Sequence, residues 1–353
     1  MSVNRRFDCD RSELGSLFAD LPRYRSDQIW RAMHHEGLEA RRWTALPASL
    51  RERIDRDLPC SLTPAVQSVS DAGDTIKFLW TLEDGAKIES VLMLYPDRAT
   101  VCISTQAGCA MGCSFCATGQ AGFRRHLSVG EIVEQVVRAR LAASDLGRRL
   151  SNIVVMGMGE PLANETALWP AIERVHDEFE LSARHITVST VGLVPGIDRL
   201  ADRPLPVTLA VSLHAADDEL RNQLIPINRR YPLDELIAAC DRYLQRRRRR
   251  ISFEWAMIDG VNDRDDDAKR LAELAHRLSP SAHVNLIPLN STPGYPVRGS
   301  SRNRIERFRA TLEDRRVTVT VRRNRGDDID AACGQLAAGQ PVSLGKKRSA
   351  STS

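Results

Sequence analysis

From Gly108 to Cys116 the chain reads GCAMGCSFC, which puts Cys109, Cys113 and Cys116 at the spacing C-x3-C-x2-C. Three clustered thiols have few uses. A closed structural zinc site takes four ligands, and a disulfide would leave one thiol over. A [4Fe–4S] cluster has four irons, usually each held by one protein thiolate. Three thiolates leave one iron open to a small chelating ligand. The amino and carboxylate groups of S-adenosylmethionine would serve, and an electron passed to its sulfonium would release a 5′-deoxyadenosyl radical. A zinc site with a remote fourth ligand and a set of buried inert cysteines are the competing readings.

A second motif fits beside the first. In MGMGEPLAN (156–164), Gly157 and Gly159 permit close backbone approach, and Glu160 can accept hydrogen bonds from an ammonium group. Taken alone, Gly-Glu-Pro is an ordinary turn. It gains weight by ending the strand that follows the cysteines.

Those strands can be read from their pattern. From residue 99 the chain alternates apolar runs with helical stretches. The runs are TVCIS (100–104), NIVVMG (152–157), HITVST (185–190), VTLAVSL (207–213), ISFEWAMI (251–258), HVNLIPL (283–289) and VTVTV (317–321). Helices are expected over 128–146, 165–179, 231–244, 265–278 and 302–314. Such alternation predicts a parallel sheet covered by helices. Six units before the last strand predict an α/β fold, a partial (βα)6 barrel. The C-terminal strand ends of such a barrel converge on one face, where chemistry sits. The cysteine motif, MGMGEPLAN, Ser189-Thr190, Ser212-Leu213-His214 and Asn290 all fall at those ends.

Upstream, residues 1–74 read as a helical accessory region and 75–98 as a β-hairpin turning at Asp84-Gly85. The core spans 99–336, and the basic tail 337–353 reads as disordered. Composition is that of a globular protein, with 42% hydrophobic and 27% charged residues. No apolar run is long enough for a transmembrane helix, and MSVNRRFDCD lacks the apolar stretch of a signal peptide. A cytoplasmic location follows, where thiols stay reduced. Cys9, Cys60, Cys102, Cys240 and Cys333 lie far apart, which argues against a disulfide scaffold. Net charge is only +4, so any polyanion must meet a local basic surface. Candidates are Arg124-Arg125-His126 and Arg322-Arg323-Asn324-Arg325. The more conspicuous run Arg246–Arg250 precedes the fifth strand, on the wrong face, and reads as a solvated loop.

CISTQAGCAMGCSFCATG (102–119), MGMGEPLAN, VSLHA (211–215), HVNLIPLN (283–290) and RGDDIDAACGQL (325–336), in this order, resemble the RlmN/Cfr family of radical S-adenosylmethionine RNA methyltransferases. The similarity covers essentially the whole chain and is greater to the RlmN branch. It implies methylation of C2 of adenine in 23S rRNA and also in tRNA; the Cfr branch modifies C8. C2 lies between two ring nitrogens and is too electron-poor to attack a methyl sulfonium, whereas a carbon radical can add to it.

The resemblance also implies roles. Cys109, Cys113 and Cys116 hold one [4Fe–4S] cluster. Gly159, Glu160, Ser189, Ser212, Leu213, His214 and Asn290 contact S-adenosylmethionine, of which two molecules are used per turnover. Cys333 carries the methyl group, Cys102 resolves the adduct through a transient disulfide, and Glu89 takes the ring proton. Partners implied are 23S rRNA, tRNA and an electron donor such as flavodoxin or ferredoxin, with the free protein a monomer. The residues agree in part: Cys102 sits in an apolar strand beside the cluster loop, and Cys333 follows Arg325–Asp330, which reads as a flexible loop. Many relatives carry a proline directly after the asparagine that Asn290 matches; here Ser291 follows. A metal-stabilised RNA-binding protein and a radical enzyme acting on a small molecule are the readings from other classes.

Overall fold

Strand-forming runs and amphipathic helices alternate as the pattern predicts. The computed structural model describes residues 5–337 except 281, 291, 293, 294, 296, 323 and 324. The strands are β1 (Thr63–Ser70), β2 (Thr75–Thr81), β3 (Lys87–Leu94), β4 (Ala99–Cys102), β5 (Gln106–Gly108), β6 (Phe123–His126), β7 (Leu150–Val155), β8 (Ile186–Thr190), β9 (Thr208–Ser212), β10 (Ser252–Met257), β11 (His283–Pro288) and β12 (Val319–Val321).

Ten of them form one sheet in the order β1-β2-β3-β4-β7-β8-β9-β10-β11-β12, and β5 and β6 pair separately. From β4 onward every neighbour in that sheet is parallel. β1 to β4 are antiparallel. The outermost strands, β1 and β12, do not pair with each other, so hydrogen bonding leaves the barrel unclosed. The two-residue period of the strands sorts their side chains. On β10, Phe253, Trp255 and Met257 are fully buried in the main core, while Glu254 and Ala256 face an internal cavity.

The helices Val129–Asp145, Glu165–Phe179, Leu233–Arg247, Asp265–His276 and Arg302–Asp314 match the expected stretches. Val194–Asp202 and Asp218–Leu224 were not anticipated; both are short, the first opening on Val-Pro-Gly.

The N-terminal boundary needs correction. The helical region ends with Ala48–Asp57, and β1 pairs with β2, so the extension is a three-stranded meander rather than a hairpin. β1 escaped notice because TPAVQSVS is almost wholly exposed and lacks an apolar face. The helical region packs on the outside of the core. Asp8 accepts from the Gly130 N–H (2.7 Å) at the start of Val129–Asp145, and the Trp30 indole donates to Glu178 (2.7 Å).

The Arg246–Arg250 run lies at the N-terminal end of β10 and is engaged by its surroundings. Arg246 pairs with Asp202, Arg247 donates to the Ala201 carbonyl (2.7 Å), and Arg249 donates to the Thr208 hydroxyl (3.1 Å). Among the described residues no helix is long and apolar enough to cross a membrane.

Candidate active site

The cluster-motif loop leaves β5 and is shaped by its own backbone. The Cys109 N–H donates to the Gly122 carbonyl (2.8 Å), the Cys116 N–H to the Cys113 carbonyl (3.2 Å), and Cys116 precedes the helix Ala117–Ala121. All three thiols line one cavity at the C-terminal strand ends. Glycine lets the end of β7 press against this loop. A Cβ on Gly159 (φ +104°) would fall 2.5 Å from the Gln106 side chain, and one on Gly157 would fall 2.7 Å from the Ile103 carbonyl. The close approach expected of these glycines is therefore to the protein itself. Gln106 completes the joint by accepting from the Glu160 N–H (2.9 Å).

The neighbouring strand ends supply the other walls. Gly159, Glu160, Ser189, Ser212, His214 and Asn290 all line the cysteine cavity. Leu213 does not: its side chain is fully buried, its N–H donates to the Glu254 carbonyl (3.0 Å), and its carbonyl accepts from Arg221 (3.1 Å). Arg221, which no motif singles out, is completely buried and also holds the carbonyls of Val191 (2.8 Å) and Ser212 (3.2 Å). It ties the ends of β8 and β9 together.

Glu160 is buried, and burial raises its carboxyl to about 7 against the pull of its hydrogen bonds. One oxygen accepts from Leu162 N–H (3.0 Å), the other from Val191 N–H (2.9 Å). His214 adopts a left-handed backbone (φ +56°), and its ring stands edge-on to Phe115 at 4.7 Å. Its Nδ1 accepts from the Ala256 N–H (2.8 Å), so Nε2 carries the proton. Burial lowers its basicity to about 3, which keeps the ring neutral.

A second cavity adjoins the first, and the two share Cys116, Gly157, Asn290, Arg322 and Cys333 as walls. Their volumes are about 280 Å³ for the second and 150 Å³ for the first, which together suit a small-molecule site. Cys102 lines the second cavity with Cys333, which puts thiols some 230 positions apart in sequence on one wall. Burial, and then the nearby Cys333, pushes the Cys102 thiol up to about 12. All eight cysteines are free, so the resting chain has no Cys102–Cys333 disulfide, and the expected disulfide finds no support in this state. The Cys333 carbonyl accepts from the Asn290 side chain (3.1 Å).

The segment before Cys333 is tied down rather than a free loop. Gly326 N–H donates to Asp71 (3.1 Å), Arg325 to the Leu94 carbonyl (2.9 Å), and Lys77 to the Asp330 carbonyl (3.3 Å). Residues 323, 324, 291, 293, 294 and 338–353 lie outside the described residues, and with them part of the second basic run, part of the loop after Asn290 and nearly all of the tail.

Glu89 lies on β3, two residues before Val91, which lines the second cavity and pairs with Cys102. It is not an exposed hairpin carboxylate: it is 4% exposed, ion-paired to Lys77 at 3.1 Å, and accepts from Ala337 N–H at 3.0 Å. It does not itself line either cavity. The basic patch beside the cluster motif also changes meaning. Arg125 is clamped by Asp84 (2.9 Å) and Glu131 (2.8 Å), so its charge fastens β6 to neighbouring elements.

The thiol set fits a cluster. Burial raises Cys109 to about 12 and Cys113 well above the ordinary thiol range, and each feels the charge of Cys116. Such thiols need a strong local cation to become thiolate ligands. Three thiols lining one cavity can each take one iron of a cuboid cluster and leave its fourth iron facing that cavity.

Comparison with known proteins agrees. The radical SAM superfamily pattern matches residues 103–272. The probable dual-specificity RNA methyltransferase RlmN of Chloroflexus aurantiacus is 47% identical over 96% of this chain and 94% of its own length. That of Parafrankia sp. is 53% identical over 91% and 88%. The chain belongs to the RlmN family of radical S-adenosylmethionine methyltransferases. A radical SAM methyltransferase from Sphaerobacter thermophilus has the same fold, with a TM-score of 0.91 and 50% identity over 95% of this chain and 99% of that one. Membership implies a [4Fe–4S] cluster and S-adenosylmethionine, for which the three thiols and the cavity beside them are the fitting site.

Proposed function

We propose that this protein methylates C2 of adenine in RNA, in 23S rRNA and in tRNA, through a methyl group carried on Cys333. The observation that supports this reading best is the shared cavity wall of Cys102 and Cys333, adjoining the three cluster-motif thiols. A radical methyltransferase acting on a small molecule would have no need of this thiol pair.

Cys109, Cys113 and Cys116 would hold the cluster, which when bound supplies the electron that cleaves S-adenosylmethionine to the 5′-deoxyadenosyl radical. Glu160 would accept from the methionine ammonium, and Ser189, Ser212, His214 and Asn290 would orient the rest of the molecule. Cys333 takes a methyl group from one S-adenosylmethionine. Cys333 would present that S-methyl group for loss of a hydrogen atom to the radical supplied by a second S-adenosylmethionine, so that its carbon could add to C2. Glu89, once released from Lys77 and the Ala337 N–H, removes the ring proton. With the adduct's unpaired electron passed back to the cluster that the three thiols would hold, the Cys102 thiolate would attack the Cys333 sulfur, the Cys333 S–C bond would break and the released carbon would take a proton, leaving the methylated base and a Cys102–Cys333 disulfide. Leu213 acts in this scheme only through the backbone of its turn. A one-electron carrier such as flavodoxin or ferredoxin is proposed as reductant, and a monomer as the working form.

The relatives bear the RlmN name, which favours C2 over the C8 chemistry of the Cfr branch. Nucleoside mass spectrometry of rRNA and tRNA from cells with and without the gene tests the reading. Loss of 2-methyladenosine is the expected result; loss of 8-methyladenosine instead would overturn the assignment. Anaerobic purification should give brown protein with about four irons per chain.

A further inference from the structure

Two guanidinium groups line the cavity that holds Cys102 and Cys333, and they differ in what they do. Arg325 is engaged: it donates to the Leu94 carbonyl (2.9 Å) and lies over the Tyr95 ring at 4.4 Å. Arg322 directly follows β12, anchored by its backbone N–H to the Leu286 carbonyl (2.7 Å). It lines both cavities, as Cys333 does. Glu254 also stands near it, but that carboxylate already accepts from Ser252 (2.6 Å) and Asn285 (2.7 Å) and forms no ion pair with Arg322. Arg322 thus lines the same cavity as Cys102 and Cys333.

We propose that Arg322 is a positioning residue for the thiol pair: its guanidinium is the counter-cation that lets Cys333, and then Cys102, act as thiolates inside the barrel. This rests on the roles given to those cysteines above. The chemistry requires such a cation. In methyl loading, a lone pair of the Cys333 thiolate forms the new S–C bond while the sulfonium C–S bond breaks, leaving S-adenosylhomocysteine. The thiol proton must already be gone. In resolution, the Cys102 thiolate forms the S–S bond as the Cys333 S–C bond breaks, and the departing carbon takes a proton.

Burial works against ionisation of Cys102, and Arg322 opposes it there. Reciprocally, the guanidinium is held above its ordinary range by Cys333 first, with Glu254, Cys102 and Tyr95 adding to the effect. The other titratable or charged groups on the walls of the two cavities are Arg325, Cys116, Cys109, Cys113, Glu160 and His214. Arg325 adds to the positive field, and Cys116 is committed to the cluster.

The test is the pH profile of alkylation at Cys333. Anaerobic holoenzyme without RNA is treated with iodoacetamide from pH 6 to pH 10, and the modified peptides are quantified by mass spectrometry. Arg322→Gln should slow modification of Cys333 about tenfold at pH 7.5 and move the profile up by about one pH unit. Arg322→Lys, which keeps the charge, should stay within about threefold of the parent. An unshifted profile in Arg322→Gln that melts like the parent would overturn the proposal and leave Arg322 a packing residue. If Arg322→Gln does not fold, Arg322→Lys decides: a profile displaced by a full unit despite the retained charge overturns it equally. No turnover is involved, so this outcome is separate from that of Cys333→Ala, which tests the methyl-carrier role itself.

Discussion

The two ends of the parallel strands carry charge in opposite ways. At the N-terminal end of β10 stand five consecutive arginines, the most conspicuous feature of the sequence, and three of them fasten the helix Leu233–Arg247 and β10 to neighbouring elements through Asp202, Ala201 and Thr208. At the C-terminal ends ionisable groups are sparse, buried and line a cavity: Glu160, Arg322 and the neutral His214. Density of charge therefore marks a solvated face, and isolation of charge marks the site. A buried ionisable group without a strong counter-ion costs several kcal/mol, so it persists where a ligand or a reaction uses it.

That contrast can be broken at either end. The largest effect belongs to Cys333→Ala, which should abolish methylation in an assay of purified enzyme with RNA; normal turnover would end the covalent route. Next is Cys102→Ala. Without the resolving thiol the adduct should persist, so denaturing electrophoresis should reveal a protein–RNA species under turnover conditions. Absence of that species would remove Cys102 from the mechanism.

Glu160 gives a graded effect. Its carboxyl titrates at about 7 because burial penalises the charged form. Ionised, it accepts from an ammonium; protonated, it loses that attraction. Affinity for S-adenosylmethionine should therefore rise with pH through about 7 and fall below it. Glu160→Gln should bind roughly ten- to a hundredfold more weakly, as expected for loss of a charged hydrogen bond worth about 1.5–3 kcal/mol, and its affinity should be flat between pH 6 and 8. Equilibrium dialysis on anaerobic enzyme measures both.

The smallest effect is expected at the arginine run. Arg246→Ala breaks an exposed pair with Asp202 and should change unfolding free energy by less than about 1 kcal/mol. Methylation should be unaffected. A large loss of RNA binding in that variant would reverse the assignment of the two ends.

Much of this was legible in the residues. All seven parallel strands were found, because each is a short apolar run between helices with a clear amphipathic period. β1 was not, since an exposed edge strand held by backbone pairing to β2 leaves no apolar signature. The cluster loop was legible because its three cysteines are local in sequence. That the Leu213 side chain turns away was not legible, because neighbours at a strand end point in opposite directions and only Ser212 and His214 line the cavity. Glu89 was expected as the proton acceptor, but its burial was not legible because it depends on Lys77 and on Ala337, the latter far along the chain.

The sequence alone determined what is local: the thiol triplet, the strand and helix periods, and the motifs that mark the family. The tertiary structure alone decided what requires the chain to return on itself. It brought Cys333 and Arg322 to the wall that holds Cys102, and turned Arg125 from a candidate phosphate ligand into a clamp between Asp84 and Glu131. The physical reason is that burial and electrostatic fields depend on distance in space, and spacing along the chain reports that distance only within a single element.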